Sequence, residues 1–567
     1  MAIGDFSGRA HLDACPGALQ VHTAADGGLA RIRVPGGAVS VAQLRELAAC
    51  ADELGSGVIE LTSRANVQVR GLESAPAFAE RMAAAGLLPS DTHERVRNII
   101  ASPLSGRSGS TLLDVRPLVA ALDLALCARP RLAQLSGRFL FALDDGTGDV
   151  TGLGADVTLV ARSSTAWAVL LAGVEAGTIQ VTDGSAGVTD DPAGPGDGSG
   201  MADDPSAQAV DPVGVMVAVA EAFLDERAAQ GDAAWRLSEL EDGPARVAAR
   251  LRLDSAAVSS LTPGPVRTTT AVREPRLVEQ RDGRVALEVV VPLGRLSAPQ
   301  ALLLADAAAA TGQVGQVAGH VSGQADQVPG QVGRAPGEPG QAPEQVGQAG
   351  QVAGRRVAPV DGAGGGDEPP SVRLTPWRTV VVPDLTRAQA AIWTPILTQA
   401  GLVADPSSPW VGVSACTGTP GCAKSLADVQ ADAALGAVEA VRERGLPVHW
   451  VGCERRCGRP RGRVVEVVAT GRGYRVELDG DSRTCSGIDE VAAAVAVFSA
   501  AETSAAETSA AETSPAETSA GGTSVAASSA GPLTATRSSA AASGVPVPSS
   551  PASSAAASSV PTSRGEK

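Results

Sequence analysis

Aromatic residues make up only 2% of this 567-residue chain, and it has no run of about 18 apolar residues. The first lack leaves Ala, Val and Leu to build the core. The second excludes a membrane-spanning helix. Basic charge is also short: 46 Lys and Arg stand against 62 Asp and Glu, a formal net charge of −16. A nucleic-acid partner, which needs a basic surface, is therefore not expected, although a local basic patch still suits a small anion. No GxGxxG stands between a strand and a helix, so the chain is not expected to bind a nicotinamide itself. The opening MAIGDFSGRAHLDACPG has no apolar h-region, and a cytoplasmic protein without a secretory signal is expected. Eight cysteines in so long a chain do not make a disulfide framework.

What is plentiful is Gly (65) and Pro (38). They concentrate in three low-complexity stretches, at about 183–212, 312–370 and from 498 or 499 to 567. None has the periodic apolar residues that repay the entropy of ordering, so they read as linkers and a tail. With these removed, an internal repeat emerges. GGLARIRVPGGAVSVAQLRELAACADELG (27–55) parallels GRVALEVVVPLGRLSAPQALLLADAAAATG (283–312). Each predicts a strand, a Pro-Gly-type turn and an amphipathic helix. VIELTSRANVQVRGL (58–72) parallels SVRLTPWRTVVVPDL (371–385), with Thr62 and Thr375 in register, and 82–106 parallels 397–421. The chain reads as two copies of one α/β unit. The expected divisions are 12–75, 76–250 with its insert, 260–311 joined to 371–385, and a last lobe at 386–497.

The sharpest chemical signal is CTGTPGC (416–422) followed by GCERRCGRP (452–460). Cys416, Cys422, Cys453 and Cys457 are spaced C-x5-C, then thirty residues, then C-x3-C. Thiolate sets select iron–sulfur clusters or zinc over hard cations. Structural zinc pairs are usually two to four residues apart, so the five-residue loop favours iron–sulfur. Cys15, Cys50, Cys127 and Cys485 stand alone and read as small buried hydrophobes.

These cysteines, with LTSRANVQVRG and ERVRNI, resemble the sulfite/nitrite reductase superfamily over roughly 12–180 and 265–495. The resemblance implies an α/β (α+β) fold of two ferredoxin-like half-repeats plus two α/β lobes. It also implies a [4Fe–4S] cluster on the four cysteines, with Cys457 as the thiolate that bridges to a sirohaem iron. DACPGALQVHTAADGGLARIRVPGG, SGRFLFALDDGTGDV (136–150) and HWVGCERRCGRP are similar to the precorrin-3B synthases within that superfamily. That likeness implies O2-dependent oxidation of precorrin-3A, with hydroxylation and lactone formation, at a sirohaem or a mononuclear non-haem iron. NADH is then an indirect electron source, acting through a partner reductase or a ferredoxin-like carrier. The alternatives are a sirohaem nitrite or sulfite reductase, and an iron–sulfur electron carrier or sensor without catalysis.

Superfamily reductases surround their anion with two Arg and two Lys. Arg64 and Arg97 match the arginines, while GRFLFAL supplies Arg138 and then Leu140 where a second Lys would stand. An apolar Leu140 suits a tetrapyrrole face better than six-electron reduction of an anion. Arg70, Arg95 and Arg107, together with Arg455, Arg456, Arg459, Arg461 and Arg463, suit a polycarboxylate, because guanidinium forks pair bidentately with carboxylates. Each is also an ordinary surface charge on the plain reading. His11, His22, His93 and His449 are candidate iron ligands or proton carriers, with structural roles favoured; His320 falls in the linker. His449 is expected to hydrogen-bond beside the cluster. Asp144 and Asp145 read first as a hairpin turn with Gly146, and second as an iron ligand pair or general base.

Overall fold

The computed structural model describes residues 13, 15–181, 211–251, 273–312, 369–439 and 446–499. Apart from a few residues at their edges, the three low-complexity stretches lie outside these, as do His11 and His320.

The first half-repeat comprises β1 (His22–Ala24), β2 (Gly27–Ile32), β3 (Ala38–Ser40), α1 (Val41–Leu54), β4 (Val58–Leu61), β5 (Val67–Leu72) and α2 (Ala75–Ala84). Lobe one follows as β6 (Ile99–Ala101), α3 (Arg116–Cys127), β7 (Phe141–Asp144), β8 (Val157–Ala161), β9 (Ala166–Leu171), β10 (Val174–Gln180), α4 (Pro212–Ala229) and α5 (Gly243–Leu251). The second half-repeat comprises β11 (Arg276–Glu279), β12 (Val285–Val290), β13 (Arg295–Ser297), α6 (Ala298–Ala309), β14 (Ser371–Leu374), β15 (Thr379–Leu385) and α7 (Arg387–Gln399). Lobe two holds β16 (Val413–Ala415), α8 (Val429–Glu439), β17 (Val448–Val451), β18 (Val465–Ala469), β19 (Tyr474–Leu478) and β20 (Asp481–Cys485).

Local chemistry repeats where the sequence repeats. Ser40 caps α1 and Ser297 caps α6, each in a reciprocal box with a glutamine three residues on, Gln43 or Gln300. The same glutamines donate to equivalent carbonyls, those of Ala85 and Ala400. In the β4–β5 turn the Thr62 hydroxyl accepts from the Arg64 and Asn66 amides. The Thr375 hydroxyl does the same for Trp377 and Thr379 between β14 and β15. Ala65 and Arg378, equivalent in the two turns, both take the left-handed conformation, with φ 55° and 61°. Each serine cap is worth about 1 kcal/mol. Ser40→Ala and Ser297→Ala are therefore expected to lower the denaturant midpoint by similar small amounts, additively in the double variant.

Long-range pairing joins the repeats. The strand orders are β1-β2-β5-β4-β13 and β11-β12-β15-β14-β3. Each half therefore completes the other's sheet with its own short strand, through Ser297↔Val58 and Ser371↔Ser40. Close approach at this exchange requires glycine. At Gly37 (φ 69°) a Cβ would fall 2.0 Å from the Leu374 carbonyl oxygen. One apolar core then runs under both sheets, with Leu44 and Leu47 of α1 in the same cluster as Ala301 and Leu304 of α6.

The two lobes also share a topology. In lobe one β6, β7 and β8 run parallel, with β9 and β10 antiparallel beyond them. In lobe two β16, β17 and β18 are parallel, followed by antiparallel β19 and β20. Each lobe has its own apolar core. Among the described residues no helix is long and apolar enough to cross a membrane.

Candidate functional site

Parallel pairing explains how cysteines thirty residues apart meet. Cys416 follows directly on β16 and Cys453 comes two residues after β17, so both loops leave the same end of the sheet. The Cys416 amide donates to Trp450 O (2.9 Å), and the Gly452 amide donates to Cys416 Sγ (3.2 Å). The two loops are also tied by Leu426 N–H to Gly452 O (2.8 Å), while Cys422 N–H turns back on Gly418 O (2.8 Å). All four thiols are free; Cys416, Cys422 and Cys453 are half-buried and Cys457 is exposed. Burial pushes the Cys416 thiol up, the Gly452 and Gly418 amides pull it down, and the charges of Cys457 and Cys422 push it up again. Such mutual repulsion is relieved by a bound cationic centre. Soft sulfur donors served by amide N–H groups fit an iron–sulfur cluster.

His449 stands behind this group, fully buried. Its Nε2–H donates to Cys457 O (3.0 Å) and Nδ1 accepts from the Ser414 hydroxyl (2.8 Å). Burial, then the nearby Arg378 charge, holds its pKa down at about 3, so the ring is neutral. It fixes the Cys457 loop through the backbone. Arg70 supports the other loop from half one: it pairs with Asp26 and donates to Gly421 O (2.6 Å).

A cleft of about 1660 Å³ is lined by residues of both halves and both lobes. Arg64, Arg273, Arg378 and Arg461 contribute to its wall, and Gly458, next to Cys457, lies on its edge. Leu140 forms part of an apolar floor, packed with Ile100, Ala142, Val150 and Ala155 and flanked by Leu153 and Trp377. Arg273 stacks on the Trp377 ring at 4.6 Å.

Of the three arginines picked by motif, only Arg64 lines this cleft. It donates to Gly137 O (3.1 Å), and burial with the Arg236 charge lowers its pKa to about 10. Arg97 is instead clamped bidentately on Asp123 of α3 (2.6 and 2.7 Å), because that carboxylate neutralises it within the lobe. Arg138 is exposed and stacks on Trp235 at 4.7 Å. Arg456 and Arg459 are occupied by Glu466, and Arg456 also by Glu477. Two arginines that sequence reasoning passed over stand close to Arg64. Arg31 donates to Gln68 (2.8 Å). Arg33 is 1% exposed, donates to Arg95 O and Pro16 O, and its Nη2 has no partner. Burial, then the Arg31 charge, lowers its pKa to about 9. The signal was present as RIRVPGG, where two arginines flank Ile32 at the end of β2, just before the turn.

His22 is exposed on β1. His93 is buried and tied to Ser90, Thr92 and Arg129 O, a structural position. Asp144 closes the turn after β7 by accepting from the Gly146 and Gly148 amides, but β7 and β8 run parallel, so this turn opens a crossover and is not the hairpin expected.

Comparison with known proteins agrees with this architecture. Residues 22–85 match the nitrite/sulfite reductase ferredoxin-like half domain. The chain is 36% identical over 126 residues to a ferredoxin–nitrite reductase of Synechococcus elongatus, covering 21% of this chain and 25% of that one. It is 30% identical over 183 residues to a precorrin-3B synthase of Sinorhizobium, covering 30% and 39% respectively. The matched stretches thus span two fifths or less of these curated relatives. The structure of the Mycobacterium tuberculosis NirA protein has a similar fold, with TM-score 0.54 and 19% identity over 82% of this chain and 79% of that one.

Proposed function

We propose, from its likeness to nitrite/sulfite reductase-like oxidoreductases, that this chain oxidises a tetrapyrrole polycarboxylate, precorrin-3A, with O2. The observation that carries the reading is one juxtaposition. The loop of Cys457, one of four free cysteines beyond parallel strands, reaches through Gly458 into the lining of a large cleft that also carries apolar residues and several arginines. Cys416, Cys422, Cys453 and Cys457 would hold a [4Fe–4S] cluster, which supplies single electrons when bound.

The cleft exceeds the 300–1,000 Å³ of ordinary small-molecule pockets, which suits a macrocycle. Leu140, Leu153 and Trp377 offer flat apolar contact for its face. Arg64, Arg378 and Arg461 offer charge-assisted hydrogen bonds to its acetate and propionate arms. In the balanced reaction one oxygen atom enters the substrate. The other leaves as water with two electrons and two protons, the electrons coming from a partner reductase or ferredoxin. An iron at which O2 reacts, sirohaem or non-haem, belongs to the same proposal. A pure electron carrier has no use for a cleft of this size.

A second reading, nitrite or sulfite reduction, draws on one observation, the close Arg31, Arg33 and Arg64 group with its unpartnered Nη2. Leu140 and the diversion of Arg97 to Asp123 weigh against it, because a small anion needs converging cations. The deciding experiment is an anaerobic absorption spectrum with iron and sulfide counts, then precorrin-3A, O2 and reductant followed by mass spectrometry. A product with one added oxygen supports the synthase reading. Sirohaem bands with nitrite or sulfite consumption support the reductase and remove the first. Arg64→Ala is expected to lower kcat/KM about tenfold to a hundredfold, mostly through KM, since a charged hydrogen bond is worth about 1.5–3 kcal/mol.

A further inference from the structure

The turn after β7 carries an acidic group that the proposed reaction does not use. Asp144, Asp145 and Asp149 each bring one oxygen within 4.8 Å of the others. Asp144 and Asp145 are 0% and 1% exposed. Asp144 is saturated, since its two oxygens accept from the amides of Gly146, Gly148 and Val150 and from the Thr151 hydroxyl. Asp149 accepts from the Ser102 hydroxyl (2.7 Å) and from Arg273 (3.3 Å). Asp145 differs from both. Its Oδ1 takes the Thr147 amide and hydroxyl, while its buried Oδ2 has no partner.

Carboxylates are crowded in the same place. Glu288, 0% exposed, holds Arg273 and Arg276. A buried carboxylate oxygen with no donor, such as Asp145 Oδ2, calls for a counter-charge. A cation supplies it, and oxygen-only donors select a hard ion.

We propose that Asp145 and Asp149 form a site for a hard divalent cation of the magnesium, manganese or calcium class. Asp145 Oδ2 is the anchoring ligand, Asp149 the second, and Asp144 with its saturated oxygens shapes the loop around them. Two carboxylates with water in the remaining positions are the usual way in which magnesium is held. Both ligand residues line the cleft, so the ion's open positions face it.

The test reads metal binding without turnover, so it stands apart from the reaction proposed above. The full-length protein, desalted without chelator to keep any iron, is titrated with Mg2+, Mn2+ and Ca2+ by calorimetry, and Mn2+ is followed by electron paramagnetic resonance. One saturable equivalent is expected for at least one ion. It should be weakened at least tenfold in Asp145→Asn and in Asp149→Asn, and left unchanged in the surface control Asp405→Asn. Circular dichroism confirms that the amide variants are folded. Absence of binding in the parent protein, or equal binding in Asp145→Asn, overturns the site. So does an Asp145→Asn protein that is more stable than its parent while the parent ignores all three ions, because a proton then fills the place.

Discussion

Replacement of Cys453 by alanine is expected to abolish the iron–sulfur absorption, the acid-labile sulfide and all turnover, while circular dichroism stays close to that of the parent. The same holds for Cys416, Cys422 and Cys457. Three thiolates cannot complete a four-cysteine site, and no other cysteine is placed to substitute. The control is Cys485→Ala: Cys485 is 1% exposed, its thiol lies in the core of lobe two, and iron content should be unchanged. Iron and sulfide assays on the five variants, purified without air, check this. Full iron content in Cys453→Ala would remove the four-thiolate centre. The backbone predicts a graded effect as well. The Cys416 thiol accepts the Gly452 amide of the opposite loop, so its loss disturbs both loops.

The second large effect concerns stability. Asp384→Ala is expected to cost about 3 kcal/mol, because it removes the charged hydrogen bonds of a largely buried ion pair. Asp384 of β15 is held by the Arg107 guanidinium (2.9 Å) and by the Gln280 amide (2.7 Å), which joins lobe one to the second half-repeat. Burial alone raises the Asp384 carboxyl pKa. Arg107 and Gln280 outweigh it, so the folded value lies below the usual carboxylate range. A depressed carboxyl pKa contributes its stability above the unfolded value, near 3.9, and loses it as pH falls through the folded value. The deficit of Asp384→Ala against the parent should therefore be full at neutral pH and shrink below about pH 4. Urea unfolding at several pH values measures it; a deficit independent of pH would assign the loss to packing alone.

Local regularities were legible in the sequence. The capping boxes at Ser40 and Ser297 follow from Ser-x-x-Gln ahead of an apolar helix, and the Thr62 and Thr375 turns follow from one register. The cysteine loops were legible from their spacing. Partners distant in the chain were not. Nothing in ERVRNI says that Arg97 will find Asp123 on a later helix, and nothing in GRFLFAL says that Arg138 will rest on Trp235. Arg31 and Arg33 were read as part of an alternating strand, since their closeness to Arg64 exists only once β2 and β5 pair. The exchange of β3 and β13 was equally hidden, because short strands carry too few residues to announce a partner.

That exchange makes the two half-repeats interdependent. A single unit with its short strand held out would leave one sheet edge open and one strand unpaired. Two copies in one chain close both, so neither half-repeat can complete its sheet without the other. The halves also bring different chemistry to the cleft: the first half-repeat supplies Arg64, and lobe two supplies the Cys457 loop through Gly458.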